Sequence, residues 1–425
     1  MSKKTKRVVV TGLGICAPNG IGVSEFWKNT KLGVSGIRFI PQLRELNFTC
    51  QIAAQPQVTQ EHINARFTKL EQRGLNSTGI VYGVLAGLEA WEDADLLYND
   101  TPDYDTGIIF GTGILGVDKF REAIHKIDAG NTRRLGSTSV LQTMASGIST
   151  YLNSKLGCGN QVTTNSSACS TGTEAVLMAY DRIKSGQAKR ILVGSCSDSG
   201  PYIWGGFDAM RILPHDYNDK PTEASRPMSA TASGFVPGSG AGALVIESLE
   251  SAEKRGAKIY AEISGGHLNS GGQLAGGSMT APNGQAVRRC ISKALKESRV
   301  QHDALSAING HLTATKKDSE EVYNWKRTLK IEAANFPPIN SLKGLIGHGL
   351  ASSGSMECVA TVLQIKHQTL FGNVNASDVH PDIQNLIPKE AILQTTKKTP
   401  LQHIAKASFG FGDVNAVVIF SKFEP

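Results

Sequence analysis

A thiol, two imidazoles and an amine in this sequence lie in local settings that would suit a nucleophile, hydrogen-bond donors and a supporting cation. Cys169 lies in Asn165-Ser-Ser-Ala-Cys-Ser-Thr-Gly-Thr-Glu-Ala-Val176, a polar loop of small residues running into Val176, Ala179, Tyr180 and Ile183 at helical spacing. The sulfur therefore falls at or beside a helix N-terminus, where free N–H groups and the helix dipole favour negative charge and lower a thiol pKa. That makes Cys169 a candidate nucleophile. The alternative is a small buried apolar residue, the usual fate of an intracellular cysteine, so the choice turns on basic partners elsewhere in the chain.

Two stretches supply such partners. His311 follows the apolar strand end Ile308-Asn-Gly and precedes Leu312-Thr313-Ala314-Thr315, which suits a side chain pointing into a cleft among hydroxyls. Taken alone it is as well explained by a hydrogen-bonded core histidine. Asp318-Ser-Glu-Glu321 opens a helix carrying Val322, Trp325 and Leu329, and Asp318 with Glu321 fits a capping box. A part for Glu321 in orienting the site is then secondary. The second stretch, Ser341 to Gly354, holds Lys343 and His348 among glycines ahead of a small-residue helix. A histidine at such a helix start stays neutral and donates a hydrogen bond rather than carrying charge. Lys343 is expected to be a semi-buried cation beside it.

The elements that must position these groups alternate between apolar strands and helices, which argues for an α/β fold with buried sheets. At 425 residues the chain exceeds one ordinary core, and two halves are expected, 1–255 with the cysteine and 256–425 with the histidines and lysine. The first strand is expected over Arg7 to Thr11, ended by Gly12-Leu-Gly14. Thr106 to Phe110 is a strand followed by Gly111-Thr-Gly-Ile-Leu-Gly116 and a helix over Val117 to Ile127. This G-x-G-x-x-G lacks the initial βαβ unit and ribose-binding acid of a dinucleotide site, so its glycines are assigned to close backbone approach instead. A loop region is expected from about 200 to 233.

Composition narrows the classes further. Hydrophobic residues at 40% and charged residues at 19% are those of a soluble globular protein. The seven cysteines include no Cys-x-x-Cys pair, which argues against zinc and disulfides and for a reducing cytoplasm. The basic start of the chain reaches Thr11-Gly12 too soon for a leader's apolar region, and no later run would span a membrane. Formal net charge is +7, which suits an acidic protein partner; no motif supports nucleic acid.

One cysteine at a helix start, one histidine after a strand, then a lysine and a histidine five apart before a small-residue helix resemble the β-ketoacyl–acyl carrier protein synthases of the KAS I/II group. Thr11-Gly-Leu-Gly14, Ser225-Arg-Pro227, Gly234-Phe-Val236, Gly240-Ala-Gly242 and Gly410-Phe-Gly412 fall in the family's order, so the resemblance covers essentially the whole chain. It implies the thiolase fold, two similar α/β halves in a five-layered αβαβα arrangement. It implies Cys169 as the acyl-accepting nucleophile, His311 and His348 as the pair that holds the malonyl thioester oxygen, and Lys343 as their support. Phe411 resembles the family's gate, its N–H forming an oxyanion hole with that of Cys169. Ile114 resembles the residue that limits the acyl pocket, and Thr313, Thr315 and Glu321 stand in supporting places. Lys69 and Arg73 resemble part of the patch that docks an acyl carrier protein.

The implied reaction is a decarboxylative Claisen condensation of an acyl group on Cys169 with malonyl-carrier, without metal or nucleotide, in a cytoplasmic homodimer or a heterodimer with a related subunit. Leu312, Met228-Ser229, Ser239 and Asp413-Val414 depart from the family's pattern. None removes a catalytic group, and a specialised type II polyketide or aryl-polyene enzyme fits them as well as a fatty-acid enzyme. A thiolase is disfavoured, since no cysteine follows Cys358. A non-catalytic chain-length-factor-like partner is the alternative from another class.

Overall fold

The computed structural model describes residues 6–98 and 100–425; the reading of the first five residues lies outside them. The first half contributes strands β1 (Val8–Ala17), β2 (Thr106–Thr112), β3 (Val162–Thr163), β4 (Arg190–Ser197) and β5 (Gly240–Ser248). Its helices include α1 (Thr78–Asp93), α2 (Val117–Asp128), α3 (Thr171–Lys184) and α4 (Pro201–Ala209). The second half adds strands β6 (Ala261–Ser270), β7 (Ala307–Asn309), β8 (Ile339–Asn340), β9 (His403–Gly410) and β10 (Val414–Ser421). Helices α5 (Gly284–Ser298), α6 (Asp318–Leu329) and α7 (Ser353–His367) complete the frame.

These strands follow one hydrogen-bonded path, β3-β2-β4-β5-β1 and then β6-β10-β9-β7-β8. Numbered within its own half, each set therefore has the order 3-2-4-5-1. The directions repeat too: β2 is parallel to β3 and β4, β5 antiparallel to β4 and β1, and the same holds for β7 with β8 and β9 and for β10 with β9 and β6. No sequence repeat accompanies this repetition, because a strand order is kept by the alternation of apolar residues rather than by their identity. The halves meet where β1 pairs with β6 at Val8–Ile263, Val9–Glu262 and Val10–Ala261.

Two sequence expectations change. Strand β1 runs on through Gly12-Leu13-Gly14 to Ala17 rather than stopping there. A Cβ at Gly12 or Gly14 would come within 2.1 and 1.9 Å of the Ala90 and Ala86 carbonyl oxygens of α1. These glycines let a buried helix lie on the strand; they do not turn the chain. The region from 200 is not all loop, since Pro201 at its first turn starts α4, a helix that buries Ile203 and Trp204. Gly111 near the end of β2 and Gly116 after it do serve close approach, as expected: a Cβ would meet Thr171 Cγ2 at 2.3 Å and the Gln142 carbonyl oxygen at 2.0 Å, respectively.

Helices α3 and α7 cross between the halves at backbone contact. A Cβ at Gly172 would lie 2.2 Å from Ser355 N, and one at Gly354 would lie 2.5 Å from Thr173 N. Hydroxyls pin the crossing to the strands: Ser195 Oγ lies 2.7 Å from Ser355 Oγ, and Thr173 Oγ1 lies 2.8 Å from Ser408 Oγ. Gly354→Ala is expected to lower stability by about 1–3 kcal/mol through overpacking; an unfolding midpoint in urea equal to that of the wild type would contradict the close crossing.

Candidate active site

The chain reaches Cys169 through an elbow. Ala168 takes a left-handed φ of 49°, a conformation uncommon for a residue with a Cβ. Ser167 N donates to Thr171 Oγ1 at 2.8 Å, and that hydroxyl donates to Ala168 O at 2.7 Å, so the first residue of α3 braces the turn. Cys169 precedes the helix N-cap, Ser170, and is buried. Its environment reverses the expectation of a lowered thiol pKa. Burial pushes the thiol up to about 11, against the opposing pull of the Phe411 N–H and the Lys343 ammonium.

His311, His348 and Cys169 converge. One sulfur or ring-nitrogen atom from each lies within 4.8 Å of the other two, and the imidazole rings meet edge to face with centroids 5.4 Å apart. Leu350 N–H donates to His348 Nδ1 at 3.2 Å, and Ser353 Oγ lies 2.9 Å from the same nitrogen. With Nδ1 accepting, the neutral ring carries its proton on Nε2. Burial first, and then Lys343, hold both histidines well below the ordinary imidazole value. Two neutral donors beside a thiol can hold an oxygen that becomes negative during a reaction.

Carboxylates fix the loop around His311. Glu321 accepts the N–H groups of His311 and Leu312, both at 2.8 Å, and burial pushes its carboxyl up to about 7 despite them. It thus holds the histidine's backbone rather than its ring. The expected capping box is absent: α6 has no side-chain cap, and Asp318 instead accepts from Met228, Thr313 and Ala314 at 2.8, 2.8 and 3.1 Å. Thr313 and Thr315 bond to each other at 3.0 Å and line the cavity.

Lys343 is more deeply placed than expected, 1% exposed and ion-paired with Glu357, also 1% exposed, on α7. The Ser225 hydroxyl donates to the Lys343 carbonyl at 2.7 Å, which explains part of the Ser225-Arg-Pro227 motif. Glu357 was not legible as a partner, because it lies in a helix with no polar periodicity.

The cavity has a volume of about 390 Å³ and is lined by Cys169, both histidines, Phe411, Thr313 and Thr315, with apolar walls from Ile114, Ile203, Phe207 and Leu350. The Phe411 ring lies 6.3 Å from that of Phe207. Asp413, two residues on, is fully buried at a φ of 60°. Its carboxylate accepts from Gln273 and Asn283 N–H at 3.2 and 2.9 Å, tying the Gly-Phe-Gly segment to the loop that brings Thr280 to the cavity. The sequence marked Asp413 only as a departure. Lys69 and Arg73 are exposed in the turn before α1 and do not line the cavity.

The model of the beta-ketoacyl synthase N-terminal domain matches residues 5–252, and that of the beta-ketoacyl synthase C-terminal domain matches residues 260–377. The chain is 32% identical to a 3-oxoacyl-[acyl-carrier-protein] synthase 2 of Staphylococcus aureus, over 99% of each chain. Among solved structures, a type II PKS ketosynthase bound to the hexaketide, in complex with its acyl-carrier protein, is 28% identical with a TM-score of 0.87, over 99% of this chain and 100% of that one. The ishigamide ketosynthase/chain length factor is 25% identical with a TM-score of 0.88, at the same coverage. This chain belongs to the beta-ketoacyl synthase family. It is an acyltransferase with the thiolase fold, and its family needs no cofactor beyond carrier-bound substrates.

A thiol held up near 11 by burial predicts a definite reactivity. Alkylation of Cys169 by iodoacetamide in the free enzyme should rise about tenfold per pH unit from pH 7 to 9 without levelling. A plateau below pH 8 would mean a resting thiolate and overturn that reading.

Proposed function

We propose that the protein joins an acyl group held on Cys169 to the two-carbon unit of malonyl–acyl carrier protein, releasing β-ketoacyl carrier. The observation that carries this is the meeting of Cys169 with two neutral imidazoles in one cavity. In the first step Cys169 Sγ attacks the acyl thioester, the N–H groups of Cys169 and Phe411 receive the oxyanion, and the carrier's pantetheine thiolate leaves with the proton that the cysteine gives up. Malonyl-carrier then enters. Its bond to the carboxylate carbon breaks, carbon dioxide leaves, and the electron pair remains as an enolate whose oxygen accepts from Nε2–H of His311 and of His348. Each such donor contributes about 3 kcal/mol. The enolate carbon attacks the acyl-cysteine, and collapse expels the Cys169 thiolate, which takes a proton from solvent.

Lys343 supports this by opposing any positive charge on the two imidazoles. Phe411 closes over the nucleophile, Ile114 limits the acyl end of the cavity, and Thr313 and Thr315 receive the polar pantetheine arm. Residues 1–255 thus form the half that carries the nucleophile and 256–425 the half that carries the histidines and lysine. The setting is the cytoplasm; among the described residues no helix is long and apolar enough to cross a membrane.

The partners are an acyl carrier protein and a second subunit, a copy of this chain or a related chain-length-factor subunit. An acyl-carrier protein accompanies the type II PKS relative. The short strand β3 ends the sheet with one edge unpaired among the described residues, and Phe120, Ile127 and Val140 are 58%, 50% and 72% exposed. An open strand edge and large apolar side chains suit a protein partner. Ile114, itself 57% exposed, would be covered in the same assembly.

Intact-protein mass spectrometry after incubation with acyl-carriers, then malonyl-carrier, tests the reading. An acyl adduct on wild type and none on Cys169→Ala, discharged as β-ketoacyl carrier, is expected. No adduct with any acyl-carrier, with or without a co-purified subunit, would favour a non-catalytic chain-length-factor-like role. Arg73→Glu should weaken carrier binding about tenfold at low salt with the melting temperature unchanged; equal affinity for the variant would remove Arg73 from the docking surface.

A further inference from the structure

The site has a second buried lysine that the steps above do not use. Lys406 is 0% exposed on β9, with its Nζ 2.8 Å from Glu357 Oε2. It donates to the Ala407 carbonyl and, at 3.0 Å, to Ser408 Oγ. The contact with Glu357 has ion-pair distance but not hydrogen-bond direction, for Oε2 receives no hydrogen bond. Lys343 holds the other oxygen of the same carboxylate. One buried carboxylate thus faces two buried ammonium groups. Two charges of one sign cannot both be cancelled by one partner, and an uncompensated charge in a dry interior is costly unless something uses it.

We propose that Lys406 is a positioning residue for the condensation: it leaves the Lys343–Glu357–Lys406 cluster with one net positive charge behind Cys169, His311 and His348, so that the cavity favours an anion and disfavours a protonated imidazole. This rests on the ketosynthase reading above and extends it. The groups facing the histidines support it. His311 meets His348, Cys169 and, through its backbone, Glu321 with Asp318 beyond, and His348 meets the Ser353 hydroxyl; both rings lie in the field of the Lys343 and Lys406 charges. Among the described residues Glu357 is the one carboxylate ion-paired with these two lysines, and it is shared. Lys406 acts on both imidazoles in the same sense as Lys343. Its hydrogen bond to Ser408, whose hydroxyl lies 2.8 Å from Thr173 Oγ1, ties that charge to the first turn of α3.

The test is titration of the histidines by NMR in the full-length, selectively histidine-labelled protein, with His311 and His348 assigned by substitution. Lys406→Met brings the cluster to zero, and both imidazoles should then protonate at a pH about one unit higher. Lys406→Met combined with Glu357→Gln restores one net positive charge and should return the titration towards wild type. A structural role alone would give no such rescue. Unchanged titration in Lys406→Met, or no return in the double variant, overturns the proposal. If Lys406→Met does not fold, Glu357→Gln alone decides: with two net charges its histidines should protonate lower than in wild type, and an unmoved or raised titration overturns the proposal. Carbon dioxide release from malonyl-carrier should fall about tenfold in Lys406→Met. Wild type that releases none refutes the ketosynthase reading, whereas wild type that releases it equally with Lys406→Met refutes only the part given to Lys406.

Discussion

Everything in this protein that can do chemistry depends on two helices touching at their backbones. Gly172 on α3 and Gly354 on α7 leave no room for a Cβ on either side. Cys169 stands just before α3, and His348 stands one short turn before α7, so the crossing brings the cysteine of one half to the histidine of the other. The strand order 3-2-4-5-1 places an equivalent helix in each half, and the symmetric frame makes an asymmetric site because different residues precede the two helices.

Burial then sets the chemistry by acting on three groups in one direction, towards neutrality. It raises the thiol and lowers both imidazoles, so the resting site holds no thiolate–imidazolium pair. That is unsuited to a protease-like nucleophile with an adjacent base, and well suited to a reaction whose charge is generated by the substrate when carbon dioxide leaves. The N–H of Phe411 and the Lys343 ammonium are the counterweights to burial at the thiol.

The candidate site residues were legible, because their types and spacing are local: Cys169 in its small-residue loop, His311 after an apolar strand, Lys343 and His348 five apart. What holds them was not. The left-handed turn at Ala168 and the donation from Leu350 that sets the His348 tautomer are local, but they rest on backbone geometry that residue types do not display, and the carboxylate of Glu357 is shared with Lys406, on a strand far along the chain. Local signals also misled where tertiary structure prevailed. Asp318 reads as a helix cap but is drawn to three N–H groups of the His311 and Met228 segments, and Gly12 and Gly14 read as a strand's end but serve a helix packed against it. The helix position of Cys169 pointed to a lowered thiol pKa, and burial outweighed it. The alternation of strands and helices indicated the fold class, while the single path of strands through both halves needed their register.

The central claim is that the second half's two neutral histidines generate the enolate without help from the first half's nucleophile. The most direct measurement is carbon dioxide release from malonyl-carrier by Cys169→Ala, with and without His311→Ala or His348→Ala. The account predicts that release persists when the cysteine is removed and falls a further 10²- to 10³-fold, roughly, when either histidine is removed. Release that stops with the cysteine and survives loss of the histidines would contradict it.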